Sequence, residues 1–384
     1  MYIVNREISQ YIVNCTYQYF LPVSLWIYIN LAAFLIVAGM AGFIIPKILL
    51  IAFRKKLFDE IDERKIHKGT VPRLGGIAFF PCILFSFFLV TALGCHYAPD
   101  MVWEAFRENP MGFSLIACAV IILYLVGLAD DLVGVKYRAK FMAQAISSLF
   151  VVVGGIQFAD LHGFLGIHAM PAVVVFALSI VLMVFIINAI NLIDGIDGLA
   201  SGLSAIACMF YGFIFFTTGL HIYGLRAFAT LGALLPFFYY NVFGDAKQHK
   251  KIFMGDTGAL TIGLLLSVFS IRISQIDDSE IGVNTAVVAF APLMIPCLDV
   301  LRVYIHRIRN HHSPFLPDKN HIHHKLLALG MGHRTVMMSI VLGSILLIIL
   351  NYWLSCYIGI TLLFAIDVAL WTVANILLTK KGKR

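Results

Sequence analysis

The stretch 171-PAVVVFALSIVLMVFIINAINLIDGIDGLA-200 decides how the rest of the chain is read. From Ala172 to Ile187 it is apolar apart from Ser179. At 1.5 Å per helical residue, that run approaches the ~30 Å hydrocarbon thickness of a bilayer. Then the chemistry changes within one turn. Asn188, Asn191, Asp194 and Asp197 follow, spaced by Gly195 and Gly198. A lipid-embedded helix therefore runs into a dense set of hard oxygen donors, which suit Mg²⁺ or Mn²⁺ rather than zinc. The glycines let the backbone approach a ligand closely. The length of the loop and its lack of a terminal Glu exclude an EF-hand.

Outward from this stretch, apolar runs of similar length recur along the whole 384-residue chain. Hydrophobic residues make up 60% and charged residues 13%, against about half and about a quarter in ordinary globular chains. That balance argues against a soluble enzyme, a disordered chain and a coiled coil. The expected fold is all-α: a polytopic membrane protein with about eleven transmembrane helices. They fall near 24–51, 74–94, 112–129, 139–157, 171–190, 199–218, 224–242, 257–273, 283–304, 336–353 and 358–378. No repeat or linker divides the chain, so residues 1–384 read as one membrane-embedded domain. Residues 1–23 carry Asn5, Glu7, Gln10 and Asn14. They read as a short external interfacial helix rather than a signal peptide.

The net charge of +7 marks loops, not a nucleic-acid partner. One alternate set of loops (52–73, 130–140, 191–198, 243–256, 305–335 and 379–384) holds 22 of the 28 Lys and Arg. The other set, with the N-terminus, holds only Arg6, Arg107, Arg226 and Arg272. The asymmetry predicts the first set in the cytoplasm, the N-terminus outside and the C-terminus inside. The seven cysteines form no CxxC pair and mostly lie in apolar runs, where they read as small buried side chains.

Almost every polar cluster falls in the cytoplasmic set. Loop 52–73 ends in Lys68-Gly69-Thr70-Val71-Pro72-Arg73-Leu74-Gly75-Gly76, a tight basic turn suited to phosphate or to simple membrane anchoring. The third span ends in Asp130-Asp131, followed by Lys136, Lys140 and Gln144. Acids at the end of a lipid-embedded helix are expensive and need a reason. Bracketed by cations, these could bind metal, bind phosphate, take a proton or close a salt-bridged helix end. Beyond Asn241 comes Lys250-Lys251-Ile252-Phe253-Met254-Gly255-Asp256-Thr257-Gly258. Here Asp256 is a ligand or a helix cap, and Phe253 is a packing residue or a stacking surface for a base. Loop 305–335 holds seven of the 13 histidines, most densely in Pro317-Asp318-Lys319-Asn320-His321-Ile322-His323-His324-Lys325. With no thiolate nearby, they fit phosphate donors better than transition-metal ligands. Carboxylates, amides, lysines and histidines on one face are what phosphoryl transfer requires.

Five of these motifs, in order over roughly residues 40–335, resemble the polyprenyl-phosphate N-acetylhexosamine-1-phosphate transferases: Lys68 to Gly76, Asp130-Asp131, Asn188 to Ala200, Phe253 to Gly258 and His321 to His324. The resemblance implies a bacterial inner-membrane enzyme with its site on the cytoplasmic face. Its lipid partner is undecaprenyl phosphate. It transfers a sugar-1-phosphate from a UDP-sugar, releases UMP and starts a lipid-linked surface glycan. It implies Mg²⁺, with Mn²⁺ as a substitute, held by Asn191 and Asp256. It implies catalytic roles for Asp130, Asp131, Asp194 and Lys140. Substrate contacts would come from Lys68, Lys136, Asn188, Asp197, Phe253, His321, His323 and His324. The histidine motif is interrupted by Ile322, as in the GlcNAc-1-phosphate branch and unlike the muramoyl-pentapeptide branch, so UDP-GlcNAc is the expected donor. Other UDP-N-acetylhexosamines and UDP-MurNAc-pentapeptide are the alternatives. Members of the family often dimerise, although no span here announces an interface. From another class, a lipid or sugar transporter would place its charges near mid-membrane, whereas these lie at helix ends.

Overall fold

The computed structural model describes residues 2–57, 71–311 and 320–381, with side chains described for 25–57, 71–311 and 320–379. It is almost wholly helical. The helices are α1 (Tyr2–Lys55), α2 (Phe79–Tyr97), α3 (Pro99–Arg107), α4 (Pro110–Val133) and α5 (Tyr137–Val153). A small antiparallel hairpin follows, β1 (Asp160–Phe164) with β2 (Ile167–Ala169). Then come α6 (Ala172–Ile193), α7 (Leu199–Thr217), α8 (His221–Val242), α9 (Gly255–Ser274) and α10 (Asp278–Ile281). The chain ends with α11 (Thr285–Phe290), α12 (Met294–Arg309), α13 (Ile322–Ala328), α14 (His333–Leu354) and α15 (Ile360–Lys381).

Among the described residues ten helices are long and apolar enough to cross a membrane, one fewer than the eleven expected. The one that falls short is 139–157, where α5 has 17 residues but still runs alongside α4 from Lys140 beside Asp130 to Gly154 beside Asn109. Helix α5 stops at Val153, where Gly154 and then Gly155, at φ 88°, break the turn. Arg138, Lys140 and Gln144 in its first half also dilute its apolar character. The expected span 283–304 is a bent one. Pro292 and Pro296 lack the N–H that a straight helix needs there, and a short 3₁₀ turn at Ala291–Leu293 separates α11 from α12. Residues 2–24 continue α1 instead of forming a separate short helix.

Helix α9 is the axis of the molecule. It is buried along nearly its whole length, which explains why it is apolar on every side. It packs against α4, α6, α7 and α11. Small residues allow that: a Cβ on Gly263 would sit 2.8 Å from Ile187 Cα, and one on Gly127 of α4 would sit 2.6 Å from Thr257 Cα. With its neighbours so close, the N-terminus of α9 is fixed against the C-terminus of α4. That junction is where the polar clusters meet.

Candidate active site

The site is built around Gly255–Thr257, the first turn of α9. Gly255 adopts φ 73°, and a Cβ there would lie 2.1 Å from Arg73 O, so only glycine turns the chain into the helix at this point. The preceding strand-like segment zips onto the turn before α2. Phe253 N–H donates to Pro72 O (2.9 Å), Gly75 N–H to Phe253 O (2.9 Å) and Gly76 N–H to Met254 O (2.8 Å). A Cβ on Gly76 would fall 2.1 Å from Gly258 N. The two glycine-rich motifs read separately in the sequence are therefore one structural unit.

Asp131 locks this unit to α4. Its Oδ1 accepts from Asp256 N–H (2.8 Å), and its Oδ2 accepts from Thr257 N–H (2.9 Å) and the Thr257 hydroxyl (2.5 Å). A carboxylate on the free N–H groups of a helix start satisfies donors that have no intrahelical partner and meets the positive end of the helix dipole. Asp131 thus caps α9 from a different helix, so its hydrogen bonds serve placement of Asp256.

Asp130 faces the other way. Its Oδ1 accepts from Val135 N–H (2.7 Å) and its Oδ2 from Lys140 Nζ (3.1 Å). The same ammonium donates to Asp256 Oδ2 at 2.6 Å. Lys140 reaches both because Gly134, at φ 75°, turns the chain sharply from α4 into α5. One turn on, Gln144 is buried and exchanges hydrogen bonds with Asn188, whose Nδ2 donates to Gln144 Oε1 at 2.6 Å. The amide pair ties α5 to α6 and brings the Asn/Asp loop alongside.

In that loop Asn191 accepts the Asp194 N–H through its carbonyl (3.3 Å). Burial raises the Asp194 carboxyl to about 7, the charges of Asp197 and Asp256 push it the same way, and Arg73 opposes them. Asp197 forms a short ion pair with Lys251, whose Nζ lies 6.0 Å from the centroid of the Phe253 ring. Gly198 N–H donates to Asn241 Oδ1 (2.6 Å), and Asn241 Nδ2 donates to Ile252 O (2.8 Å). Asn241 therefore sets the loop against the α9 entry.

The histidine motif joins from α13. His323 lies against Gly195, where a Cβ would meet its Nε2 at 2.3 Å. It is buried, and neither ring nitrogen has a partner among the described residues. Burial, with His324 and His321 beside it, lowers its pKa to about 3, so the ring is neutral at physiological pH. Its ring stacks on His321 (centroids 5.7 Å) and lies 4.2 Å from His324. His321 Nδ1 is 2.8 Å from Asp299 Oδ2, and Asp299 Oδ1 accepts from Arg302 (2.8 Å) and from Ile322 N–H (3.1 Å). Asp299 anchors the motif to α12.

Of the expected residues, Asp130, Asp131, Lys140, Asn188, Asn191, Asp194, Asp197, Phe253, Asp256, His321, His323 and His324 lie on segments that converge here. Lys136 is exposed between α4 and α5. Lys68 lies outside the described residues. Sequence reading missed Asn241 and Asp299 as positioning groups. The signal for Asp299 was available: it is a lone acid inside an otherwise apolar span.

Among the described residues no three His, Cys, Asp or Glu side chains gather as a metal-binding group, so no cage of those types is preformed. Mg²⁺ does not need one. It commonly uses one or two carboxylates and completes its octahedron with water and phosphate oxygens. The hard oxygens here fit that pattern, and the charges of Asp197 and Asp256 act in the same direction as burial on Asp194.

Comparison with known proteins identifies the family. Residues 113–274 match the family described as glycosyl transferase family 4. A decaprenyl-phosphate N-acetylglucosaminephosphotransferase of Mycobacterium tuberculosis is 33% identical over 299 residues, covering 73% of this chain and 71% of that protein. The undecaprenyl-phosphate alpha-N-acetylglucosaminyl 1-phosphate transferase of Escherichia coli K12 is 30% identical over 299 residues, covering 77% and 76%. The matched segment runs from α4 through α9 and so contains the Asp130–Lys140–Asp256 cluster and the Asn/Asp loop. The chain belongs to glycosyl transferase family 4.

Proposed function

We propose that this protein transfers GlcNAc-1-phosphate from UDP-GlcNAc to undecaprenyl phosphate. The observation that carries the reading is the convergence of Asp130, Lys140 and Asp256, from three helices, beside the Asn/Asp loop and the buried His323. The names of the relatives support the sugar and the polyprenyl acceptor. A phosphate oxygen of the lipid attacks the β-phosphorus of the UDP-sugar. The bond between that phosphorus and the bridging oxygen breaks, UMP leaves with the bond electrons, and a polyprenyl diphosphate sugar remains.

A phosphate monoester is largely ionised at neutral pH, since its second pKa is near 6. The site therefore needs charge placement more than a strong base. Lys140 is the cation the phosphates meet, and Asp130 holds it in place. Asp256 and Asn191 would hold Mg²⁺, which supplies charge neutralisation on the phosphate oxygens. Phe253 offers a ring for the uracil, flanked by Lys251 and Asp197. His321 and His324 lie on the diphosphate or sugar side. The 22-to-4 distribution of Lys and Arg supports a cytoplasmic site in a bacterial plasma membrane.

Purified protein given undecaprenyl phosphate, UDP-GlcNAc and Mg²⁺ should release UMP. EDTA and Asp256→Asn should both abolish the release. Activity only with UDP-GalNAc or UDP-MurNAc-pentapeptide would keep the reaction and overturn the sugar. No release with any donor, from folded protein, would overturn the reaction.

A further inference from the structure

Along the same helices lies a cavity of about 570 Å³, reaching from Phe80 at the start of α2 to Pro110 at the start of α4. Two stripes of apolar residues make it. On α2, Phe80, Ile83 and Phe87 recur at i, i+3 and i+7; on α4, Phe113, Ile116 and Val120 do the same. Spacing of that kind puts each set on one helix face. The facing stripes leave a groove about 10 Å long, from the rise of seven residues. Phe88 and Trp103, which also line it, are exposed, so the groove opens to the surface. That surface is lipid beside α2, and the amphipathic α3 with Trp103 marks an interfacial level.

One end of this apolar groove is cationic. Arg226 lies five residues into α8, about 7.5 Å below its start. Its guanidinium sits over Phe87 (4.8 Å) and Phe113 (4.7 Å). Its Nη1 is buried with no hydrogen-bond partner, and among the described residues no carboxylate pairs with it. The acid close by, Glu108, is engaged by Arg272. Arg107 lines the same groove. A buried donor left unmade is costly, and a guanidinium fork matches phosphate oxygens in a bidentate manner.

We propose that this groove binds an anionic phospholipid, with the phosphate on Arg226 and an acyl chain between α2 and α4. A free phosphate would leave the apolar volume empty. A lipid without a phosphate would leave the Arg226 donor unmet. A cationic headgroup would face two arginines. The volume lies within the range of ordinary small-ligand sites.

Native mass spectrometry of the purified full chain, with phosphatidylglycerol and phosphatidylcholine added at equal concentration, tests this. The wild type should hold one phosphatidylglycerol with a preference of roughly five- to thirtyfold, the scale of one to two arginines near a lipid headgroup. Arg226→Gln should abolish the preference. Ala117→Trp, which fills the groove and leaves Arg226 intact, should abolish retention of both lipids. Neither residue belongs to the transferase site, so UMP release should stay within twofold of wild type in both variants. Equal binding of the two lipids, or phosphatidylglycerol retained unchanged in Ala117→Trp, would overturn the proposal. Displacement of phosphatidylglycerol by undecaprenyl phosphate would overturn it too, since the groove would then belong to the acceptor. If Arg226→Gln fails to fold, Ala117→Trp still decides.

Discussion

Lys140 and Asp256 are 116 residues apart, yet the Lys140 ammonium donates to Asp256 Oδ2 at 2.6 Å and to Asp130 Oδ2 at 3.1 Å. All three side chains are largely buried, so the ammonium balances two carboxylates at the point where phosphates are expected. Removing it leaves two acids facing one another with no cation between them. Lys140→Ala should lower kcat for UMP release by about 10²- to 10³-fold, the usual loss for one charge-stabilising donor. Lys140→Arg should recover only part of it, because a planar fork does not replace a point charge. Unchanged kcat in Lys140→Ala would remove Lys140 from the mechanism.

Asp131 makes a different prediction from Asp130, although the two are adjacent. Asp131 caps α9 with three hydrogen bonds. Its loss should therefore lower stability as well as activity. Asp131→Ala should destabilise by about 1–2 kcal/mol, as loss of a helix cap does, read as a lower Tm in detergent. Asp130→Ala should lower activity with the smaller shift in Tm. The reverse order of Tm shifts would contradict the capping role.

The close glycines give a graded steric series. A methyl at Gly76 meets backbone, Gly258 N at 2.1 Å, while a methyl at Gly195 meets the His323 ring at 2.3 Å. Backbone cannot rotate away, but a side chain can. Gly76→Ala should impair folding, by the 1–3 kcal/mol typical of overpacking or more. Gly195→Ala should fold and lose activity by displacing His323. Folded yield and UMP release, measured for each, separate the two.

These pairings also show what was legible in the sequence. The spans, the polar face and nearly all converging residues could be read from hydropathy period and from charge. The zipper between residues 72–76 and 253–258 could not, because hydrogen bonds between two loops leave no periodic signature. Asp131 looked like half of an acidic pair; its role as a cap depends on the helix it meets, which is distant in sequence. Asn241 looked like the polar end of a span, and only the fold reveals that it holds Gly198 and Ile252. Helix α5 ends a few residues before the expected boundary at 157, because the apolar pattern continues to Ile156 and Phe158 while the helix stops at Gly154.

His323 predicts a pH dependence of stability. Its folded pKa is lowered to about 3, below the unfolded value of about 6.5. Between those two values the unfolded chain binds a proton that the folded one refuses. Stability is therefore intact above about pH 6.5 and falls as pH drops toward 3, by up to ~1.4 kcal/mol per pH unit from this group. Tm measured from pH 7.5 down to 4.5 should decline, and His323→Phe should flatten the decline. A parallel profile in the variant would show that other groups carry it.

The central claim is that a phosphate moves with the sugar, and an isotope tests it most directly. UDP-GlcNAc labelled with ³²P at the β-phosphate, incubated with the protein, Mg²⁺ and undecaprenyl phosphate, should deliver its label to the lipid phase, with one UMP released per label transferred. If GlcNAc reaches the lipid while the label stays in water as UDP, the chemistry is ordinary glycosyl transfer, and the account built on Asp130, Lys140 and Asp256 is wrong.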